Sequence, residues 1–441
     1  MELKRDILDV FKVWKDQENR KPILLQGARQ IGKSWAMEQF GRTCFSHWAR
    51  FDFAETTELA SVFEGTKDPE RIVKELSLFT SQPLIPGKTL IIFDEVQECE
   101  GALNSLKYFC ERAPEYHIIA AGSLLGIAVK RKKMTVPVGK VDIMRMRPLT
   151  FREFLRAADE TTFEWVERMD KAGFEKLPEI MLSRLKLEYK RYLVSGGMPE
   201  AVKALLENKG MDAVDKVLQD ILDLYDIDFS KYAEPREIPR IRAVWHSLPS
   251  QLAKENRKFL YKVVKTGARA REYENAVLWL NEAGMVHQIF RITKPAFPLS
   301  AYVDTTAFKL YACDCGLLRR LARLSSDAIL SENSIHYTEF KGALAENAVL
   351  QGLIGQFYDI PYYWTSEGKA EVEFIVEKGK EILPIEVKAE DNDGGKSLSV
   401  YNEKFKPAHR IRCSGKNLQY NDGLFSCPNP LVPWLAQFDL P

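Results

Sequence analysis

No run of apolar residues in this chain is long enough to cross a membrane as a helix, so a helical membrane anchor is not expected. Neither charge sign dominates. Lys and Arg number 63 against 62 Asp and Glu, which argues against a generally basic nucleic-acid coat and leaves only local patches. The seven cysteines are odd in number, scattered and without any Cys-x-x-Cys pair. That spacing speaks against a disulfide framework or a structural zinc, and for reduced thiols in the cytoplasm. The first residues, Met1 to Asp6, are charged and lack the apolar core of a signal peptide, which points the same way. Internal repeats and low-complexity segments are also lacking. What remains is a chain of 441 residues, long enough for two or three domains.

Gly27-Ala-Arg-Gln-Ile-Gly-Lys-Ser34 fits the phosphate-loop pattern G-x-x-x-x-G-K-[ST] at every fixed position. The apolar run Ile23-Leu-Leu25 precedes it and reads as a buried strand, and Trp35 to Phe40 reads as a helix. In that context the backbone N–H groups from Gly27 through Ala28, Arg29, Gln30, Ile31 and Gly32 to Trp35 are placed to face phosphate oxygens. Lys33 is expected on the β- and γ-phosphates, and the Ser34 hydroxyl on Mg²⁺.

Thr89-Leu-Ile-Ile-Phe-Asp-Glu95 reads as a buried parallel strand ending in two carboxylates. Asp94 would hold Mg²⁺, directly or through water, and Glu95 would orient or deprotonate the attacking water. The adjacent Glu95 favours hydrolysis over simple nucleotide binding. A third strand, Ile118 to Ala121, ends at Gly122-Ser123. The Ser123 hydroxyl is either a sensor of the γ-phosphate or lytic water, or a small residue at a turn.

Residues 1–148 alternate strands and helices, the pattern of a wound parallel sheet, with a further strand between Phe45 and Phe53. From Leu149 the pattern becomes helical. Thr150 is the expected N-cap, with Glu153 as its capping-box partner, and Ser195-Gly-Gly-Met-Pro199 breaks a helix. Helices followed by the alternating run Gly284 to Ile292 suggest a winged-helix-like module over residues 149–302. Residues 303–441 read as another α/β region.

In that last region Glu346 falls in a helical run, Ala343 to Leu350. Glu371 and Glu373 share one face of a strand, and Glu386 and Lys388 share one face of the next. A helical Glu, strand acids and Glu-x-Lys make up a metal-dependent nuclease layout. The same alternation also suits a half-exposed, solvated sheet face.

Taken together, these segments resemble a prokaryotic family of AAA-type P-loop ATPases with a C-terminal domain of unknown function related to PD-(D/E)xK nucleases. The resemblance rests on Gly27 to Ser34, Leu90 to Glu95, Gly122-Ser123, Pro148 to Phe154 and Ser195 to Glu200. It continues through Phe308 to Tyr311, Asp314 to Leu317, Gly342 to Asn347, Glu371 to Phe374 and Pro384 to Lys388. It implies an α/β multidomain protein with a restriction-endonuclease-like C-terminal domain. Its expected cofactors are ATP and Mg²⁺, its expected partners DNA or another protein, and a homo-oligomer fits the family.

Two positions depart from the family. Glu373 stands where Asp is usual, and its extra methylene displaces a metal ligand by one carbon–carbon bond. Lys140 follows Gly139 where Arg is frequent, and lacks the planar fork of a finger arginine. Arg145, Arg147 and Arg152 are the alternatives, Arg147 being the one assigned here to the catalytic set. The basic run Lys130-Arg-Lys-Lys133 either meets nucleic-acid phosphates or is a solvated loop. The leading expectation is a Mg²⁺-dependent ATPase switch that couples nucleotide state to the C-terminal domain. An ATP-licensed nuclease, and a nucleic-acid- or protein-binding module on a degenerate nuclease fold, are the alternatives.

Overall fold

The structure, a computed structural model, describes the chain except residues 81, 128–134, 136, 138, 255–257, 332–337, 358–359 and 390–395. The basic run at 130–133 lies outside the described residues.

Five parallel strands form the N-terminal sheet: β1 (Ile23–Gln26), β2 (His47–Asp52), β3 (Thr89–Asp94), β4 (His117–Gly122) and β5 (Asp142–Arg145). Their order is β2-β3-β4-β1-β5. Every residue of β3 and β4 is buried, as their unbroken apolar runs require of strands covered on both faces. The placement of β4 between β1 and β3 sets the C-terminal ends of three strands side by side. In an open parallel sheet that edge is where ligands bind.

Between residues 151 and 282 the described elements are all helices, beginning with Phe151–Ala158, whose Thr150–Glu153 capping box is formed in both directions. Helix Glu179–Ser195 stops at Gly196, and Pro199 opens the next helix, as the breaker predicts. The two glycines between have a packing reason. A Cβ on Gly196 would lie 2.0 Å from Asp314 Oδ1, and one on Gly197 would lie 2.0 Å from the Leu149 carbonyl. Fully buried Asp314 accepts from Gly197 N (2.6 Å), Leu317 N (3.0 Å) and Gln351 Nε2 (3.0 Å). One carboxylate thus joins the glycine turn, helix Cys315–Leu321, which it caps, and helix Thr338–Leu353.

The second sheet has eight strands: β6 (Val286–Ile292), β7 (Val303–Ala312), β8 (Tyr362–Thr365), β9 (Glu371–Lys378), β10 (Glu381–Val387), β11 (Arg410–Ser414), β12 (Gln419–Asn421) and β13 (Leu424–Pro428). Their order is β12-β13-β11-β10-β9-β8-β6-β7. The β6–β7 hairpin, expected as the wing of the helical module, instead pairs in parallel with β8 and extends the C-terminal sheet. Local alternation reveals a hairpin but not which sheet receives its edge. Among the described residues no helix is long and apolar enough to cross a membrane.

Candidate nucleotide site

The phosphate loop leaves β1 through Gly27 and makes a tight approach to the segment after β5. A Cβ on Gly27 would sit 2.4 Å from the Met146 carbonyl oxygen. Gln30 (φ 64°) and Gly32 (φ 88°) take left-handed conformations, and Gly32 turns the chain into helix Lys33–Cys44. Ala28 and Ile31 are buried and Trp35 packs on the core, which fixes the loop from beneath. The buried Lys33 ammonium donates to the carbonyls of Gly27 (2.9 Å) and Ala28 (2.8 Å). Burial pulls its pKa down to about 8, against the opposing pull of Glu95 and then Asp94.

Asp94 ends β3 in a buried position beside the Ser34 hydroxyl, to which it is hydrogen-bonded. Burial raises its pKa, while the Ser34 hydrogen bond and Arg50 pull the other way. Arg50 Nε lies 2.9 Å from Asp94 Oδ2 and the same guanidinium also meets Asp52 (2.6 Å) and Glu38 (3.2 Å). A hydroxyl and a carboxylate in contact at the base of the loop are the oxygen donors Mg²⁺ takes at such sites.

Glu95 follows in a left-handed conformation (φ 50°), which lifts its side chain out of the strand direction. Both its carboxylate oxygens lie 2.9 Å from the Ser123 hydroxyl, and Gln97 Nε2 donates to it as well. Ser123 is buried just past the end of β4, so the neighbouring strands bring it to Glu95. Gly122 is held small by the same cluster, since a Cβ there would fall 2.2 Å from Gln97 Oε1.

The helical module presses on the loop at several points. Arg29 Nη1 pairs with Asp228 Oδ1 at 2.7 Å, and Tyr225 OH donates to the Arg29 carbonyl at 3.1 Å, both from helix Met211–Tyr232. Gly284 packs on Ala28, where a Cβ would meet the Ala28 nitrogen at 3.3 Å. Arg5 closes the other side, donating to Ile31 O (2.7 Å) and Glu153 (3.0 Å). Sequence reasoning missed Arg5, Arg50, Gln97 and Asp228, because none belongs to a motif. For Asp228 the available signal was a lone acid on the otherwise apolar face of a helix.

Of the residues considered as fingers, Arg145 and Arg147 stand together and the others lie apart. Arg152 pairs with Asp6 and Glu167, and Lys140 with Glu111. Arg147 follows β5 and runs to Gly355 and His287. Burial pulls its pKa to about 10.

In the C-terminal sheet, β9 and β10 are antiparallel neighbours, and Glu373 Oε2 accepts from Val387 N at 3.0 Å. Glu386 is fully buried, 3.2 Å from Lys388 Nζ and 2.9 Å from Arg412 Nε. Glu346 accepts from Tyr311 OH at 2.9 Å. Lys309, fully buried and absent from the expected set, pairs with Glu371 and lies 3.9 Å from Glu346 Oε2. Burial raises the Glu373 pKa, with Lys309 the first of the charges opposing it. The acids therefore gather in one region, but lysines and an arginine neutralise them. Among the described residues no group of three or more His, Cys, Asp or Glu side chains is disposed to hold a metal.

Residues 19–155 match the family described as AAA domain. Residues 186–328 and 341–431 match two families each described as a domain of unknown function, DUF8612 and DUF4143. Among solved structures the chain is similar to a Walker-type ATPase of Pyrococcus abyssi, with 14% identity and a TM-score of 0.41 over 73% of this chain and 96% of that one. It is also similar to the ORC2 protein of Aeropyrum pernix in ADPNP–ADP complexes, with 14% identity and a TM-score of 0.39 over 75% and 94% of the two chains. The ORC1 protein of the same organism in complex with DNA gives 12% identity and a TM-score of 0.26 over 72% and 90%. No curated protein matches the chain. The loop, the β3 carboxylates and the match over residues 19–155 agree in giving the N-terminal region the character of an AAA domain with a phosphate loop.

Proposed function

We propose that the protein is a Mg²⁺-dependent, ATP-hydrolysing switch whose nucleotide state is transmitted to the helical module and the C-terminal domain. The observation that carries this reading is the placement of Glu95. Of the carboxylates near Lys33 it acts most strongly on the ammonium, and it is fixed by Ser123 and Gln97. A base held beside the phosphate-binding lysine suits activation of water in line with a γ-phosphate. Ser34 and Asp94 would hold Mg²⁺, which supplies charge neutralisation to the phosphates. Lys33 leaves the Gly27 and Ala28 carbonyls to meet them. Arg29, now on Asp228, lies in the loop that phosphate would reorder, and this pair is the route from nucleotide to helix Met211–Tyr232.

The test is metal-dependent ATP hydrolysis by wild type, Lys33→Ala and Glu95→Gln, with and without DNA. Turnover lost in both variants is expected, and undiminished turnover by Lys33→Ala overturns the assignment.

For the C-terminal domain we favour a binding module over a nuclease. Lys309 supports this choice, because a buried ammonium between Glu371 and Glu346 supplies the positive charge that a divalent cation would otherwise bring. Cleavage of single- or double-stranded nucleic acid with Mn²⁺ and ATP, lost on Glu386→Gln, would reverse it.

A further inference from the structure

A cleft runs between the C-terminal edge of the first sheet and the start of β6. Its inner chamber, about 270 Å³, reaches Gly27 and Ala28. Its outer chamber, about 540 Å³, is walled by Gln288, Phe290 and Tyr362. Arg145, Arg147 and Asn281 line both.

The two arginines are the informative residues. Arg147 is half-buried, and the neighbouring charge that bears on it is a like one, that of the exposed Arg145. Among the described residues neither guanidinium forms an ion pair with a carboxylate, whereas Arg5, Arg50, Arg152 and Arg156 all do. His287 brings no compensation. Burial, followed by the two arginines, holds it neutral down to about pH 3. Two like charges held close together, one of them partly withdrawn from water, favour the arrival of an anion. Beside these cations stand two side-chain amides and three aromatic rings, those of Phe290, Phe357 and Tyr362, in a space of the size small-molecule sites occupy. Guanidinium for phosphate, a ring face for a base and amides for its polar edge describe one ligand chemistry.

We propose that this cleft binds a phosphorylated nucleoside unit, with Arg145 and Arg147 on its phosphate and Phe290 and Tyr362 against its base. The unit is either a free nucleotide or one residue of a single-stranded nucleic acid. The inference does not depend on ATP turnover, because Arg145, Arg147, Phe290 and Tyr362 line the outer chamber, which no phosphate-loop residue walls, so Lys33→Ala disables the loop without touching these four side chains.

The experiment uses the full chain carrying Lys33→Ala, with two probes: thymidine 5′-monophosphate by equilibrium dialysis and fluorescein-labelled oligothymidylate by anisotropy. Binding of at least one is expected. Arg145→Glu, at an exposed position, should weaken it at least about tenfold and reduce its salt dependence, and Phe290→Ala should weaken it at least about fivefold. Binding of both probes identifies a nucleotide site, and binding of the oligomer alone a strand site. Binding of neither at millimolar concentration, or equal affinity in Arg145→Glu, overturns the proposal. If a variant fails to fold, oligothymidylate containing 4-thiothymidine is photo-crosslinked to the Lys33→Ala chain. Adducts within 281–290 or on Tyr362 support the site, and adducts confined elsewhere, or none, overturn it.

Discussion

Arg29 Nη1 lies 2.7 Å from Asp228 Oδ1, so a variable position of the phosphate loop is tied to a carboxylate 199 residues away. Asp228 is fully buried and burial raises its pKa, with Arg29 as the chief opposing influence. Its second oxygen, Oδ2, has no hydrogen-bond partner among the described residues. The pair is therefore a contact that nucleotide binding is positioned to alter.

Asp228→Asn and Arg29→Ala should be coupled. Each alone is expected to lower stability by about 1–2 kcal/mol, and the double variant by less than the sum. The ratio of ATP to ADP affinity should shift in each single variant. Additive stabilities in a denaturant double-mutant cycle, with unchanged nucleotide affinities, would remove the pair from any coupling role.

Glu95→Gln should reduce kcat by roughly 10²–10⁴-fold while ATP still binds. Ser123→Ala, which removes one hydrogen bond to Glu95, should cost about tenfold or less at constant ATP affinity. Single-turnover hydrolysis beside ATP titration separates the two steps. A Glu95→Gln chain that turns over normally would show that water is activated elsewhere.

Gly122→Ala is expected to injure activity more than stability. The new Cβ meets the end of the Gln97 side chain, which can swing away, but Gln97 also holds Glu95. A loss of kcat of about tenfold or more, with a thermal midpoint lowered only slightly, is the expected pattern. The reverse pattern would mean that Gly122 serves packing alone.

Nucleotide affinity should be flat up to about pH 8 and then fall, by at most about tenfold per pH unit. The sign follows from Lys33. In the free protein burial sets its pKa near 8, below its ordinary value, and a bound phosphate raises it again. Binding above pH 8 therefore takes up a proton. Titration calorimetry in buffers of different ionisation enthalpy measures that uptake, and its absence at pH 9 would assign the phosphate contact to another group.

Lys309→Met should destabilise the C-terminal sheet by about 3–5 kcal/mol, because it strands Glu371 and Glu346 without their buried counter-charge. Mn²⁺ should restore part of that loss in the variant and leave wild type unaffected. An equal Mn²⁺ effect on both proteins would show that the lysine does not take the place of a cation.

The local pieces of the candidate nucleotide site were legible in the sequence as strand, loop and helix. Gly27 to Ser34, Asp94 with Glu95, and Ser123 all follow from short-range patterns, since glycine spacing, apolar runs and strand-end acids act within a few residues. The Thr150–Glu153 capping box and the Ser195–Pro199 breaker were legible for the same reason. What only the tertiary structure decided is which distant groups meet them. The order of the sheet set β4 between β1 and β3, which turned Ser123 from an ambiguous turn residue into a partner of Glu95. The packing of helix Met211–Tyr232 supplied Asp228, the sheet brought Lys309 of β7 to Glu371 of β9, and the meeting of two sheets opened the arginine cleft. Those pairings depend on how amphipathic faces choose one another across long stretches of chain, and no local periodicity encodes that choice.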